Sequence, residues 1–385
     1  MADDWRHGGF GLYIHWPFCA AKCPYCDFNS HVTSQIDFDR WQTAYLAELD
    51  RTGAETAGRV LNSVYFGGGT PSLMPPGLVG AILERLPDHW RLANDLEITL
   101  EANPSSVEAE RFAGYRAAGV NRVSLGVQAL NDADLRALGR LHDVEQALRA
   151  LDVAKSTFER VNFDLIYARQ HQSLADWQAE LARALAFGPD HLSLYQLTIE
   201  DGTAFGDRFR RGKLPGLPDE DIAADMYFAT QELCEAAGLP AYEVSNHAKP
   251  GQESRHNLIY WRGGDYLGIG PGAHGRITHN GTRYATETEL SPARWLDLVA
   301  QNGTGETLRD ALSRKDHAGE YLMMSLRTLE GTDLARITAL GEEIKQSKIN
   351  ELCEIGLLLK DGHMLRATHE GRAVLNQIIA ALLPE

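Results

Sequence analysis

Residues 12–28 read LYIHWPFCAAKCPYCDF. An apolar and aromatic run stops at Pro17, and three cysteines follow within eight positions in a C-x3-C-x2-C spacing. The run predicts a strand over 11–16. Cys19, Cys23 and Cys26 then lie in the loop leaving its C-terminal end. A fourth cysteine would complete a ligand set, but Phe28 follows Asp27.

Working outward, the same strand signal recurs at 63–69, 96–103, 122–128, 160–167 and 191–199, each rich in β-branched or aromatic residues and bounded by Gly, Pro or Asn. Between the strands the period changes to 3.6. Phe38, Trp41, Tyr45 and Leu49 share a helix face, as do Leu174, Trp177, Leu181 and Leu185. A third helix is expected over 219–237. Six alternations of strand and helix favour a parallel sheet, and its strand-to-helix loops gather at one rim, where active sites form. After residue 300 the pattern becomes helix, helix plus hairpin, helix. The expected division is 1–300 for the parallel sheet, curled or open, and its helices, and 301–385 for a winged-helix-like α+β module.

Charge and composition narrow the function. Lys and Arg number 37 against 53 Asp and Glu, a net charge of −16. That opposes phosphate-backbone binding. From Arg314 on there are nine basic and eleven acidic residues, so the terminal module carries no basic footprint either. No apolar run approaches the ~20 residues of a membrane helix. The first residues do not form a signal peptide. Five cysteines, three of them clustered, argue against a disulfide framework and for a reducing cytosol.

Three readings of the cysteine loop compete. Structural zinc takes four protein ligands, and His15 or Asp27 would have to supply the fourth at poor spacing. Buried structural cysteines rarely cluster this way. A [4Fe–4S] cluster can be held by three thiolates, with its fourth iron left open.

The loop resembles the signature of the radical S-adenosylmethionine (SAM) superfamily. With YFGGGTPS, EANP, GVQ, LGRLH, NFDLIY, HNLIYW and PGAHG, nearly the whole chain is similar to the oxygen-independent coproporphyrinogen III oxidases and their relatives, the haem chaperones called HemW. The resemblance implies a partial (β/α)6-type barrel with a [4Fe–4S] cluster on Cys19, Cys23 and Cys26. It places Tyr13, Tyr25, Gly68, Gly69, Thr70, Glu101, Gln128, Arg140 and Asp164 around SAM, with Thr198 and His274 as weaker contacts. His256 and Tyr260, at i and i+4 in HNLIYW, are the implied haem-associated pair, and His247 is a neutral replacement or a second ligand.

The oxidases place a further cysteine where Phe28 stands and carry a longer segment before the first strand. Both departures favour a haem carrier over coproporphyrinogen dehydrogenase. The implied partners are haem, an acceptor haemoprotein and a second copy of the chain. Transfer of methyl or methylthio groups would need more cysteines than the chain provides.

Overall fold

All six expected strands form, and they pair side by side in sequence order. They are β1 (Phe10–Trp16), β2 (Val60–Gly68), β3 (Arg91–Ala102), β4 (Arg122–Gln128), β5 (Arg160–Tyr167) and β6 (His191–Gln196). Every pairing from β1 to β6 is parallel. The computed structural model describes residues 3–33, 35–105 and 109–383.

The sheet extends beyond what the sequence announces. Five further strands are β7 (Asn246–Ala248), β8 (Asp265–Ile269), β9 (His274–His279), β10 (Thr282–Thr288) and β11 (Glu306–Ala311). The order is β11-β10-β9-β8-β1-β2-β3-β4-β5-β6-β7. β8 is a seventh parallel strand on the far side of β1, whereas β7 and β9 to β11 are antiparallel additions at the two edges. No break in the sheet marks the division expected at residue 300. It falls inside the helix Pro292–Asn302, and the sheet continues to Ala311.

The strands sort their side chains by parity. Ile98, Leu100, Val123, Leu125, Phe163, Leu165, Leu192 and Leu194 enter the main hydrophobic core. The alternate positions carry Glu97, Thr99, Arg122, Ser124, Asn162, Asp164 and Ser193, which bond one another on the other face, and Glu101, which bonds Tyr65. The sheet thus has an apolar face under its helices and a polar concave face.

An aromatic wedge anchors the start of the cysteine loop. Trp16 meets Phe18 at 5.2 Å and Trp41 at 5.5 Å between ring centroids, and Trp41 stacks on Trp295 at 5.5 Å. Such pairs contribute about 0.5–1.5 kcal/mol each beyond burial. Trp41 lies on the helix Phe38–Glu55, whose N-cap Asp37 accepts from the Arg40 amide.

The C-terminal unit has its own core, drawn from residues between Ala318 and Leu382. The hairpin strands Leu358–Asp361 and Met364–Ala367 pack with short helices, as the pattern predicts. Arg336 ties this unit to the chain's beginning. It donates to both Asp4 carboxylate oxygens at 2.9 and 2.7 Å and lies 4.0 Å over the Tyr321 ring.

Candidate functional site

The cysteine loop rests on the glycine turn after β2. The Gly69 amide donates to the Trp16 carbonyl at 2.7 Å, and the Thr70 amide to the Phe18 carbonyl at 2.9 Å. A Cβ on Gly69 would stand 2.7 Å from that Phe18 oxygen. Gly68 has φ +108°, in the left-handed region that glycine occupies without strain. The two segments therefore approach backbone to backbone.

All three cysteines of the loop are free and half-buried, and each sulfur has a donor nearby. The Thr70 hydroxyl donates to Cys19 Sγ at 3.4 Å, and Arg140 Nη1 donates to Cys23 Sγ at 3.4 Å. Burial raises the Cys26 thiol, against a hydrogen bond from the Phe28 amide that lowers it. Burial also raises the Cys19 thiol. Ser30 Oγ is buried with no partner at hydrogen-bond distance, yet lies close enough to lower Cys19. Such donors suit thiolates that carry metal charge.

Among the described residues no three His, Cys, Asp or Glu side chains converge on a point one metal ion would fill. A cubane cluster is broader and takes its thiolates at separate corners. The three cysteines with their donors fit that group.

Asn103, the third residue of EANP, connects the site. Its amide nitrogen donates to Thr70 Oγ1 at 3.2 Å, and its oxygen accepts from Arg140 Nη2 at 2.5 Å. Arg140 also donates to the Gly126 carbonyl at 2.9 Å. The structure thus brings Thr70, Arg140, Cys19 and Cys23 together through one amide. Tyr25 sits at the same place, beside Cys23 and Arg140 and packed near Phe205.

The polar face supplies two carboxylates. Glu101 accepts from the Tyr65 hydroxyl at 2.7 Å, and burial pushes its pKa up to about 7, with repulsion from Asp164 adding to the rise. Burial pushes Asp164 to about 6, against hydrogen bonds from Ser193 and Ser124. Both keep part of their surface exposed. A pair of carboxylates at the edge of ionisation favours a cationic ligand, which would hold them deprotonated. SAM, with its sulfonium and ammonium groups, matches that charge.

Gln128 stands at φ 72°, where the β4–β5 register breaks. That conformation costs a non-glycine residue about 1–2 kcal/mol, and such strain clusters at functional sites. Tyr13 turns its hydroxyl to His15 Nδ1 at 3.0 Å, and its ring stacks on Tyr65.

HNLIYW falls in the helix Arg255–Trp261, which packs through His256 against Ser63 and Glu97. His256 is 1% exposed. Its Nδ1 bonds Ser63 Oγ at 2.7 Å, its Nε2 bonds the Tyr260 hydroxyl at 2.6 Å, and its amide donates to Glu97. Its ring stacks on Tyr65 at 4.9 Å. Both nitrogens expected to be available for iron are thus engaged inside the protein, and Tyr260 is engaged with them. His247 is buried on β7 with neither ring nitrogen bonded. Thr198 and His274 are exposed, and His274 faces Glu287 across β9 and β10.

A parallel α/β barrel with three thiolates at the end of its first strand defines a class of iron–sulfur proteins. The Radical SAM superfamily model matches residues 13–183, and the HemN C-terminal domain model matches 312–374. The chain is 39% identical to heme chaperone HemW of Escherichia coli, over 97% of this chain and 98% of that protein. It is 40% identical to mouse "Radical S-adenosyl methionine domain-containing protein 1, mitochondrial", over 97% of this chain and 87% of that one. The solved coproporphyrinogen III oxidase (HemN) of E. coli superposes with a TM-score of 0.82 at 24% identity, covering 97% of this chain and 90% of that one. The chain belongs to the radical SAM superfamily, in the branch that contains the HemW heme chaperones. Among the described residues no helix is long and apolar enough to cross a membrane.

Proposed function

We propose that this protein binds haem and hands it to an acceptor haemoprotein, with a [4Fe–4S] cluster on Cys19, Cys23 and Cys26 and SAM at the rim above the polar face. The observation that carries this reading is the near-full-length similarity to heme chaperone HemW. Phe28, where the oxidases are expected to carry a further cysteine, supports it.

When bound, the cluster and SAM supply reductive cleavage of a sulfonium C–S bond; the protein's part is to hold them. Thr70, Ser30, Arg140 and the Phe28 amide offset charge on the sulfurs. The Gly68–Thr70 backbone meets the methionyl end of SAM. Glu101 and Gln128 bind its ammonium and ribose side, and Asp164 takes ribose hydroxyls, for which a carboxylate is a suitable acceptor. Tyr13 and Tyr25 flank the pocket. We infer that His256 and Tyr260 close the base of the barrel rather than ligate iron. The three unpaired loop cysteines fit a reducing compartment, and the cytosol is the one we assign.

The test is anaerobic reconstitution followed by separate addition of haem and of coproporphyrinogen III. A carrier binds haem, releases it to an apo-haemoprotein and forms no vinyl product. Catalytic formation of protoporphyrinogen with 5′-deoxyadenosine would replace this reading with the oxidase.

A further inference from the structure

Beside the cysteine loop lies a cleft of about 590 Å³. Cys23, Pro24 and Cys26 form part of its lining, and Lys22, Arg136 and Arg208 reach it from three separate segments. The segments are locked together. The Phe205 amide donates to the Pro24 carbonyl at 2.8 Å, and a Cβ on Gly139 would stand 2.6 Å from the Pro24 ring.

The three cations are exposed, and among the described residues none has a carboxylate within salt-bridge distance. The acidic residues beside them are committed elsewhere. Asp134 pairs with Arg169, Asp201 and Asp207 pair with Arg210, and Asp132 accepts from the Val144 amide. Among the described residues, Asp27, next to Cys26, and Glu200, two residues before the lining Gly202, carry no such pair. On a chain of net charge −16 this is a local reversal of sign. The exposed apolar side chain of Phe209 follows Arg208 in sequence, and protein interfaces combine such groups with a charged rim.

The geometry points to this cleft as the docking site for an acidic one-electron carrier protein, the entry port for electrons to the cluster. A positive rim attracts an acidic partner and speeds its encounter. Two cluster cysteines in the lining bring the partner's redox centre near the iron, and electron transfer weakens steeply with distance. One electron passes: the carrier is oxidised by one unit and the cluster is reduced by one unit. Haem propionates would also meet these cations. The remaining lining is small residues, with no aromatic ring for a porphyrin face and no histidine or tyrosine for its iron. The inference rests on the cluster but not on haem transfer.

The test uses the cluster-loaded protein and an acidic plant-type [2Fe–2S] ferredoxin as probe. Variants are Arg136→Glu/Arg208→Glu, which leaves the cysteine loop untouched, and the same pair with Lys22→Gln. Affinity for the oxidised ferredoxin is measured calorimetrically at several salt concentrations. Reduction of the cluster is followed by stopped-flow, with ferredoxin or dithionite as donor. The expected result is at least about a tenfold loss of affinity and of ferredoxin-driven rate, with a weaker salt dependence. Iron content and dithionite reduction should stay as in the parent. Unchanged ferredoxin binding and reduction in the double variant would overturn the proposal. So would loss of haem binding with ferredoxin binding intact, which would give the cleft to haem.

Discussion

His256→Ala and His256→Gln separate a structural histidine from an iron ligand. The alanine variant leaves Ser63 Oγ and the Tyr260 hydroxyl facing each other across an empty ring site, buried under Tyr65. Each buried group left without a partner costs about 1–3 kcal/mol. The lost ring adds a cavity term, partly relieved by collapse. A total of roughly 3–5 kcal/mol follows for alanine. Glutamine keeps one of the two hydrogen bonds and most of the volume, so its cost is about 1–2 kcal/mol. Urea unfolding of the apo protein measures both. Haem titration followed at the Soret band should give the same peak position and affinity in the glutamine variant as in the parent, with equal iron content. A displaced Soret band, or loss of haem binding in a glutamine variant that is still folded, would refute the structural role and restore His256 as a ligand.

Gly69→Ala should lose cluster iron together with SAM binding, because its Cβ drives the Phe18 carbonyl away from the turn just ahead of Cys19. Gly68→Ala meets only the His15 ring and a left-handed φ; iron and sulfide assays should show the cluster retained while equilibrium dialysis shows weaker SAM binding. Full cluster content in Gly69→Ala would contradict the backbone-contact argument. Glu101→Gln should stabilise the apo protein at pH 8 and weaken SAM binding. The folded carboxyl at about 7 stands above its ordinary 4.5, so the folded state keeps the proton longer and loses stability as pH rises between those values. After discounting for its exposed surface the gain is about 1–2 kcal/mol at pH 8, absent at pH 4; equal denaturation midpoints at pH 8 would contradict it. Asp4→Ala strands the buried Arg336 guanidinium, at a cost of about 3 kcal/mol, and should make the chain protease-sensitive near residue 312 before the barrel itself opens.

The parts legible in sequence are those written locally. The strand before the cysteines, the six-fold alternation and the glycine turn each declare themselves within a dozen residues. The parity of polar residues in LEITLEAN and RVNFDLIY already encodes the polar concave face, because period-two alternation needs only neighbours. What was missed depends on distant partners. Nothing near His256 shows that Ser63, 193 residues away, and Glu97, 159 residues from it, take up its ring nitrogen and amide. Asn103 was visible as part of EANP, but its role appears only when Thr70 and Arg140 arrive from two other loops. β8 and β9 each carry a glycine, and β10 and β11 carry charged residues in place of an apolar run, so their pattern is weak. The change of pattern near residue 300 marks a helix that still belongs to the barrel.

The place of β1 in the sheet has a consequence for how the protein is made. The strand that leads into the cysteines lies between β2 and β8 and pairs with residues 265–269 on its second side. Synthesis runs at about 5–20 residues per second, so the strand waits on the order of ten seconds to a minute for that neighbour. During this interval Cys19, Cys23 and Cys26 are present but their support is unfinished. Iron delivered early meets a loop open along one edge, whereas iron delivered after residue 269 meets a framed one. The order of the strands thus makes assembly of the metal site a late event in the birth of the chain, one that any thiol oxidant can interrupt.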